Sequence, residues 1–418
     1  MPYTAAECLR ARRDFPALQS AGEGPALAYL DGPGGSQVPL AVIEAIRDVY
    51  TTCNVNAHGN FPPSHEIDRR VEDARSRVAT LLGAAGPACI SFGQNMTTLN
   101  YSLSAAIGRT LQAGDEVLIT ELDHEANRGP WLRLAERGIV IREVRLLPTG
   151  LLDLADMADK ITPRTRVFAL GASSNALGTV NDIALARRLT RQVGALLVID
   201  AVHYAPHFSV DVEALGADFL LCSAYKFYGP HVGILYSAPG ALDRLPTDRL
   251  STQDPEAPFR IETGTLNHAA IHGVRAAIEY LASWGRGASL RERLIDAFSG
   301  ISEYEHGLAR YYHEAVERIR GIRVWGPGFA TRVRAPTVSV TLANCGAAEA
   351  ATRLGEHGIC VWDGNFYAAR AVEVLGVAER GGLLRTGISM YSSREEIDRL
   401  LEGLGEIAAN RVNIAMRG

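Results

Sequence analysis

Lys226, in "CSAYKFYGPH" (222–231), is one of two lysines in a 418-residue chain that otherwise draws its positive charge from arginine. It stands just past the apolar run "ADFLLCS" (217–223), and Asp200 closes another, "ALLVID" (195–200). A lysine amine at a strand end can attack a carbonyl carbon, provided that burial and nearby cations strip its proton. The other lysine, Lys160 in "ADKITPRTR", falls in a charged helix-to-loop stretch that reads as exposed. Asp200 has two readings: a cap for the helix that follows, or an ion pair with a protonated ring nitrogen.

The second reading, beside a Schiff-base lysine one strand away, meets the needs of pyridoxal 5'-phosphate (PLP), whose ring accepts electrons best while its pyridine nitrogen keeps a proton. Elements must bring the two together. From about 85 to 236, short apolar runs alternate with helix-period segments, the pattern of a parallel α/β sheet. "ACISF" (88–92), "EVLIT" (116–120), "IVIREVRLL" (139–147), "RVFALGAS" (166–173), "ALLVID", "ADFLLCS" and "VGILYS" (232–237) read as strands. Met96, Leu99, Leu103 and Ile107 recur at helical spacing after the first, as do Ile183, Ala186, Leu189 and Val193 before "ALLVID". Such sheets bind ligands beyond the carboxyl ends of their strands. The residues there are Asn95, Asp123, His124, Asn175, Asp200, His203 and Lys226.

Beyond residue 285 the texture changes. One long helix is expected across 287–321, then a strand at "PTVSVTLA" and a helix near 347–356. Strands at "ICVWDG" and "GLLRTGISMY" follow, and a closing helix has Ser393 and Glu396 at capping-box spacing. The expected organisation is a large cofactor-binding domain, 21–285, and a smaller α/β domain made from 1–20 and 286–418.

With 47% hydrophobic and 21% charged residues and a net charge of −5, the signs scattered, the chain reads as globular and offers no basic stripe to nucleic acid. It has no run of eighteen uncharged apolar residues and no signal-peptide pattern at its start, so a cytoplasmic location is expected, with no membrane partner. Cys8, Cys53, Cys89, Cys222, Cys345 and Cys360 lie far apart without a C-x-x-C pair, and neither a disulfide framework nor a metal site is expected.

The segment "VIDAVHYAPHFSVDVEALGADFLLCSAYKFYGPHVGILY" (198–236) resembles the lysine region of the fold-type I PLP enzymes of the class V aminotransferase group, especially their cysteine desulfurase branch. Further matches follow in order: "YLDGPGGSQVP", "ELDHEANRGPW", "SSNALGTVN", "IETGTLNHAAIHGVRAAIEYL" and "LLRTGISMYSSREEIDRLL". The resemblance implies a mainly parallel seven-stranded sheet, a smaller C-terminal domain, and a homodimer with its active site at the subunit interface. It implies that Lys226 holds the Schiff base, Asp200 meets the pyridine nitrogen, and His124 stacks on the ring and relays protons. Asn175 would bond the ring hydroxyl, with His203 near that oxygen. Asn95, Met96 and Thr97, in "GQNMTT", would offer the phosphate a helix N-terminus. Ser223 and Tyr225 match phosphate-binding positions, and Thr265 matches the threonine that reaches the neighbouring subunit's phosphate. Arg385 would grip the substrate α-carboxylate, and Asn56 and His58, in "NVNAHGN", would border the pocket.

One segment departs from the pattern. Desulfurases carry a sulfur-accepting cysteine in a Gly-His-His-Cys-like run after a strand matching "ICVWDG"; "VWDGNFYAAR" places Tyr367 there. Cys360 reads as an inward strand residue instead. A phenol cannot take up a sulfane sulfur. Asp363, Asn365, Phe366 and Tyr367 read either as a loop packed by two aromatics or as a wall for a larger substrate, with Tyr367 able to donate a proton. The expected function is PLP-dependent C–S cleavage by β-elimination of cysteine or a cysteine S-conjugate, giving thiol, pyruvate and ammonia. Epimerisation, as in the isopenicillin N epimerase relatives, and decarboxylation-coupled oxidative deamination are the alternatives. A non-catalytic PLP-binding protein would not need Lys226, Asp200, His124 and Arg385 together, and a nucleotide-binding reading lacks a G-x-G-x-x-G after the first strand.

Overall fold

The apolar runs form one sheet in the computed structural model, which describes residues 3–19, 26–330 and 333–410. Its strands are β1 (Ile90–Gly93), β2 (Glu116–Thr120), β3 (Val140–Val144), β4 (Thr165–Gly171), β5 (Leu196–Asp200), β6 (Phe219–Ser223) and β7 (Gly233–Ser237). They lie in the order β1-β7-β6-β5-β4-β2-β3. From β6 to β3 every pairing is parallel, whereas β7 runs antiparallel to both β6 and β1. Residues on both faces of β5 and β6 are buried, which is why those strands read as unbroken apolar runs without alternation. Register places Gly171, Asp200 and Leu221 side by side at the carboxyl edge. Asp200 and the turn carrying Lys226 therefore emerge next to one another.

A second, antiparallel sheet comprises β8 (Ile322–Trp325), β9 (Thr337–Leu342), β10 (Trp362–Gly364) and β11 (Leu383–Gly387), in the order β10-β11-β9-β8. Val338, Val340, Leu384, Ile397 and Leu400 belong to its own core. The long helix spans Leu290–Val316 and is shorter at both ends than the expected 287–321. Ser289 and Glu292 close a capping box that fixes its start. At the other end Gly321, at φ 88°, turns the chain into β8. The helix joins both cores, through Leu294 and Phe298 on one and Leu308 and Tyr312 on the other.

"ICVWDG" is not one strand. Ile359–Cys360 pairs in parallel with Ala28–Tyr29, and after Val361 the backbone changes neighbours and Trp362–Gly364 pairs with β11. "GLLRTGISMY" stops pairing at Gly387, where a Cβ would lie 1.9 Å from Pro33 Cδ, so the turn Asp31–Gly35 can abut β11 only at a glycine. At the N-terminus, Tyr3 donates to the Met390 carbonyl at 2.8 Å, and Phe15 meets Tyr228, Tyr280 and Tyr391 edge-on. The expected boundary between residues 20 and 21 lies outside the described residues. Among the described residues no helix is long and apolar enough to cross a membrane.

Candidate active site

A hollow of about 680 Å³ opens at the carboxyl ends of β4, β5 and β6. Lys226 enters it from the short turn Ala224–Lys226, and its Nζ donates to the carbonyls of Pro33 and, at 3.1 Å, Gly34. Burial, then the nearby Arg385, lowers its ammonium from the ordinary lysine value to about 7, with Asp31 and Asp200 opposing. Near neutral pH a large share of this amine is therefore unprotonated, the form that attacks carbonyl carbon. The other lysine, Lys160, pairs with Asp156 at 2.8 Å.

Asp200 Oδ1 accepts the Val202 N–H at 2.9 Å, so one side chain both closes the local turn and faces the hollow. Burial raises its carboxyl to about 6. His124 caps the helix Glu125–Leu132, its Nδ1 accepting the Ala126 N–H at 3.0 Å. Burial, Lys226 and Arg385 push this imidazole down to about 4, so at neutral pH it is uncharged with its hydrogen on Nε2. His203 Nε2 lies 3.0 Å from Thr337 Oγ1, and burial depresses the ring strongly. Asn175 donates from Nδ2 to the Phe366 carbonyl at 2.8 Å, leaving Oδ1 buried without a partner.

At one end of the hollow stands the head of the helix Met96–Gly108. Asn95 Oδ1 takes the Thr98 N–H at 2.9 Å, and the Met96 and Thr97 amides belong to the first turn, which a helix cannot satisfy internally. Gly233 lets β7 approach this head: a Cβ there would sit 2.3 Å from the Asn95 carbonyl carbon. Ser223 and Tyr225 complete that part of the lining.

Arg385, on β11, borders the hollow through Asn175, donating to its carbonyl at 3.3 Å. It forms a buried ion pair with Asp31 at 2.7 Å, its guanidinium lies 4.4 Å from the centre of the Phe366 ring, and its Nε has no partner. Phe366 and Tyr367 both have left-handed backbones, at φ 55° and 58°. Asn365 Oδ1 accepts the Tyr367 N–H at 3.0 Å, so that side chain serves its own loop, while the Tyr367 carbonyl accepts the Glu125 N–H at 2.7 Å. The phenol is 72% exposed, its ring centre 5.5 Å from that of His124.

The family model for aminotransferase class-V matches residues 28–400. The chain belongs to the class-V aminotransferase family. It is 32% identical over 414 residues to a cysteine desulfurase of Pectobacterium carotovorum subsp. carotovorum, covering 95% of this chain and 97% of the relative. A cysteine desulfurase of Dickeya dadantii is 33% identical over 416 residues, covering 95% and 96%. Among solved structures, apo cysteine desulfurase from Thermococcus onnurineus NA1 superposes with a TM-score of 0.86 at 27% identity, over 96% of this chain and 98% of that one. The S-sulfonic acid form of cysteine desulfurase CsdA from Escherichia coli gives 0.83 at 28%, over 95% and 97%. The fold expected from the sequence is the one found, and the chain is a PLP-dependent enzyme of this family.

The hollow of this class-V family member suits that cofactor on its own chemistry. Asn175 Oδ1 and Ser173 Oγ are buried without partners beside a carboxylate and an amine held only by carbonyls, so the walls carry hydrogen-bonding capacity the chain does not use. A ring bearing a nitrogen, a hydroxyl, an aldehyde and a phosphate could use it. Asn56, His58 and Thr265 are not on this wall. They line a separate hollow of about 1920 Å³, where all three are exposed and His58 meets Asp68 at 3.1 Å. One buried carboxylate escaped the sequence reading, and another, Asp123, was placed at a strand end without a role. Asp31 stood inside the quoted "YLDGPGG", whose glycines were the available signal: a Cβ on Gly34 would lie 2.0 Å from Asp31 Oδ2. Asp123 lines the hollow, takes the Gly171 N–H at 2.7 Å, and is raised by burial to about 7.

Proposed function

We propose that this enzyme cleaves the C–S bond of cysteine or a cysteine S-conjugate by β-elimination, releasing thiol and 2-aminoacrylate, which water hydrolyses to pyruvate and ammonia. The observation that carries the reading is the enclosed Lys226 amine, near pH 7 in its titration, facing the same hollow as Asp200, His124 and Asn175. When bound, PLP supplies an aldehyde to which amino groups are joined and a ring that draws electrons away from Cα. Asp200 would hold the pyridine nitrogen and His124, uncharged, would lie against the ring. Asn175 and His203 would meet the ring oxygen, and the Met96 and Thr97 amides, Asn95, Ser223 and Tyr225 would hold the phosphate.

Arg385 takes the substrate carboxylate, its unpartnered Nε offering a donor beside the Asp31 pair. Lys226 removes the Cα proton as general base, and the electron pair released expels thiolate from Cβ. The exposed phenol of Tyr367 gives the departing sulfur a proton. None of the six cysteines lines the hollow, which supports release of free thiol over transfer of sulfur to the enzyme. Thr265, exposed and away from this chain's own hollow, fits the proposal that a second copy presents it to the phosphate. Asn56 and His58 share its hollow and would reach the substrate in the same way.

The test is to incubate the PLP-loaded protein with cysteine and simple S-alkyl cysteines while following pyruvate and free thiol. Equal amounts of the two are expected. Inverted configuration without pyruvate would move the assignment to epimerisation, and no spectral change with any amino acid would remove catalysis altogether.

A further inference from the structure

Behind the wall of the hollow lie titratable groups that the reaction above does not use. His203 reaches the hollow, and the ring of His207 meets its ring edge-on, centres 5.3 Å apart. His207 Nδ1 lies 2.8 Å from Oε2 of Glu305, on the long helix Leu290–Val316. Glu305 is buried, and besides His207 the Tyr228 hydroxyl stands beside its carboxyl as a hydrogen-bonding group. A buried carboxyl set against an imidazole is not what packing alone selects, since a leucine or glutamine there avoids the charge.

We infer that Glu305 and His207 are positioning residues: a buried carboxylate–imidazole pair that fixes the orientation and protonation of His203, and through it the contact His203 makes with the cofactor's ring oxygen. The inference rests on the proposed role of His203. Burial raises the Glu305 carboxyl while His207 and Tyr228 oppose it; in its ionised form it only accepts hydrogen bonds, and the 2.8 Å contact then holds the His207 hydrogen on Nδ1. Thr337, whose hydroxyl can donate or accept, leaves the His203 tautomer open at Nε2. The edge-on ring of His207 is the other imidazole at its side, and it is through this contact that the pair acts on His203.

The surroundings are otherwise poor in charge. His203 is faced by His207, Lys226 and Arg385, all of which disfavour its protonation. Glu305 is faced by His207 and by the hydroxyls of Tyr228, Tyr391 and Tyr3. Changing Glu305 therefore alters the one carboxyl among these groups.

The experiment compares wild type with Glu305→Gln and His207→Gln by two readouts. In the PLP-loaded protein, the midpoint of the visible-absorbance pH titration is expected to move at least threefold in proton concentration, in the same direction for both variants. In the cofactor-free protein, side-chain 15N shifts are expected to show His203 passing from one tautomer to a mixture. If both readouts match wild type in whichever variant folds, including when the melting temperature falls, the pair is structural only and the inference is overturned. Absence of a visible band in loaded wild type would reject the cofactor assignment instead, while the tautomer measurement would still decide the relay.

Discussion

The depressed titration of Lys226 has a direct kinetic signature in cofactor capture. An ordinary lysine, at about 10.4, is unprotonated in about four parts in ten thousand at pH 7. An amine titrating at about 7 is half unprotonated there, a gain of about three orders of magnitude in the attacking form. Between pH 6 and pH 8 that form rises only about tenfold and then saturates, whereas for an ordinary lysine it rises about a hundredfold and goes on rising. Stopped-flow mixing of cofactor-free protein with PLP across pH 6 to 10 reads the imine band directly, with N-acetyl-lysine run in parallel to remove the cofactor's own ionisations. The ratio of enzyme to model rate constants is expected to fall steadily above pH 8, as the enzyme flattens and the model amine climbs. Lys226→Ala is expected to give no imine band and no borohydride-stable label. A constant ratio up to pH 10 would refute the claim that burial among Arg385, Asp31 and Asp200 has lowered this amine.

Asp31→Ala is expected to destabilise the fold by about 3–5 kcal/mol in urea unfolding, because it strands the buried guanidinium of Arg385. Arg385→Ala is expected to raise KM far more than it lowers kcat, as loss of a carboxylate partner does. Tyr367→Phe is expected to lower kcat by about one hundredfold if the phenol is the acid, near the lower edge of general-acid effects; a native rate would leave the ring only as a contact. Asp200, raised from 3.8 to about 6 in the fold, binds its proton more tightly than in the unfolded chain. Cofactor-free protein is thus expected to lose about 3 kcal/mol of stability from this group as pH rises from about 4 to above 6, a loss that Asp200→Asn removes.

Much of this site was legible because its residues follow strands. Asp200 and Lys226 end unbroken apolar runs, and the sheet register then had little freedom in where to put them. Asn95 is a helix cap of a type that caps prefer, whereas the capping by His124 is not written in its residue type. Asp31 was not legible as a partner of Arg385, because the contact joins residues 354 apart in sequence and depends on Gly387 admitting Pro33. Neither was the split of "ICVWDG", since hydropathy carries no information about which of two sheets a backbone will join. The left-handed pair Phe366–Tyr367 gave no glycine to announce itself. Asn56, His58 and Thr265 line a separate hollow, and hydropathy says nothing of which hollow an exposed loop will join.

That left-handed pair makes the loop a sprung latch. Two bulky residues in succession at positive φ each cost about 1–3 kcal/mol, a conformation held only because its surroundings insist on it. Here the insistence comes through two carbonyls, one on Asn175 and the other on the amide beside His124. A ligand that drew the Asn175 amide toward itself would take away one of the two hydrogen bonds that hold this backbone in place.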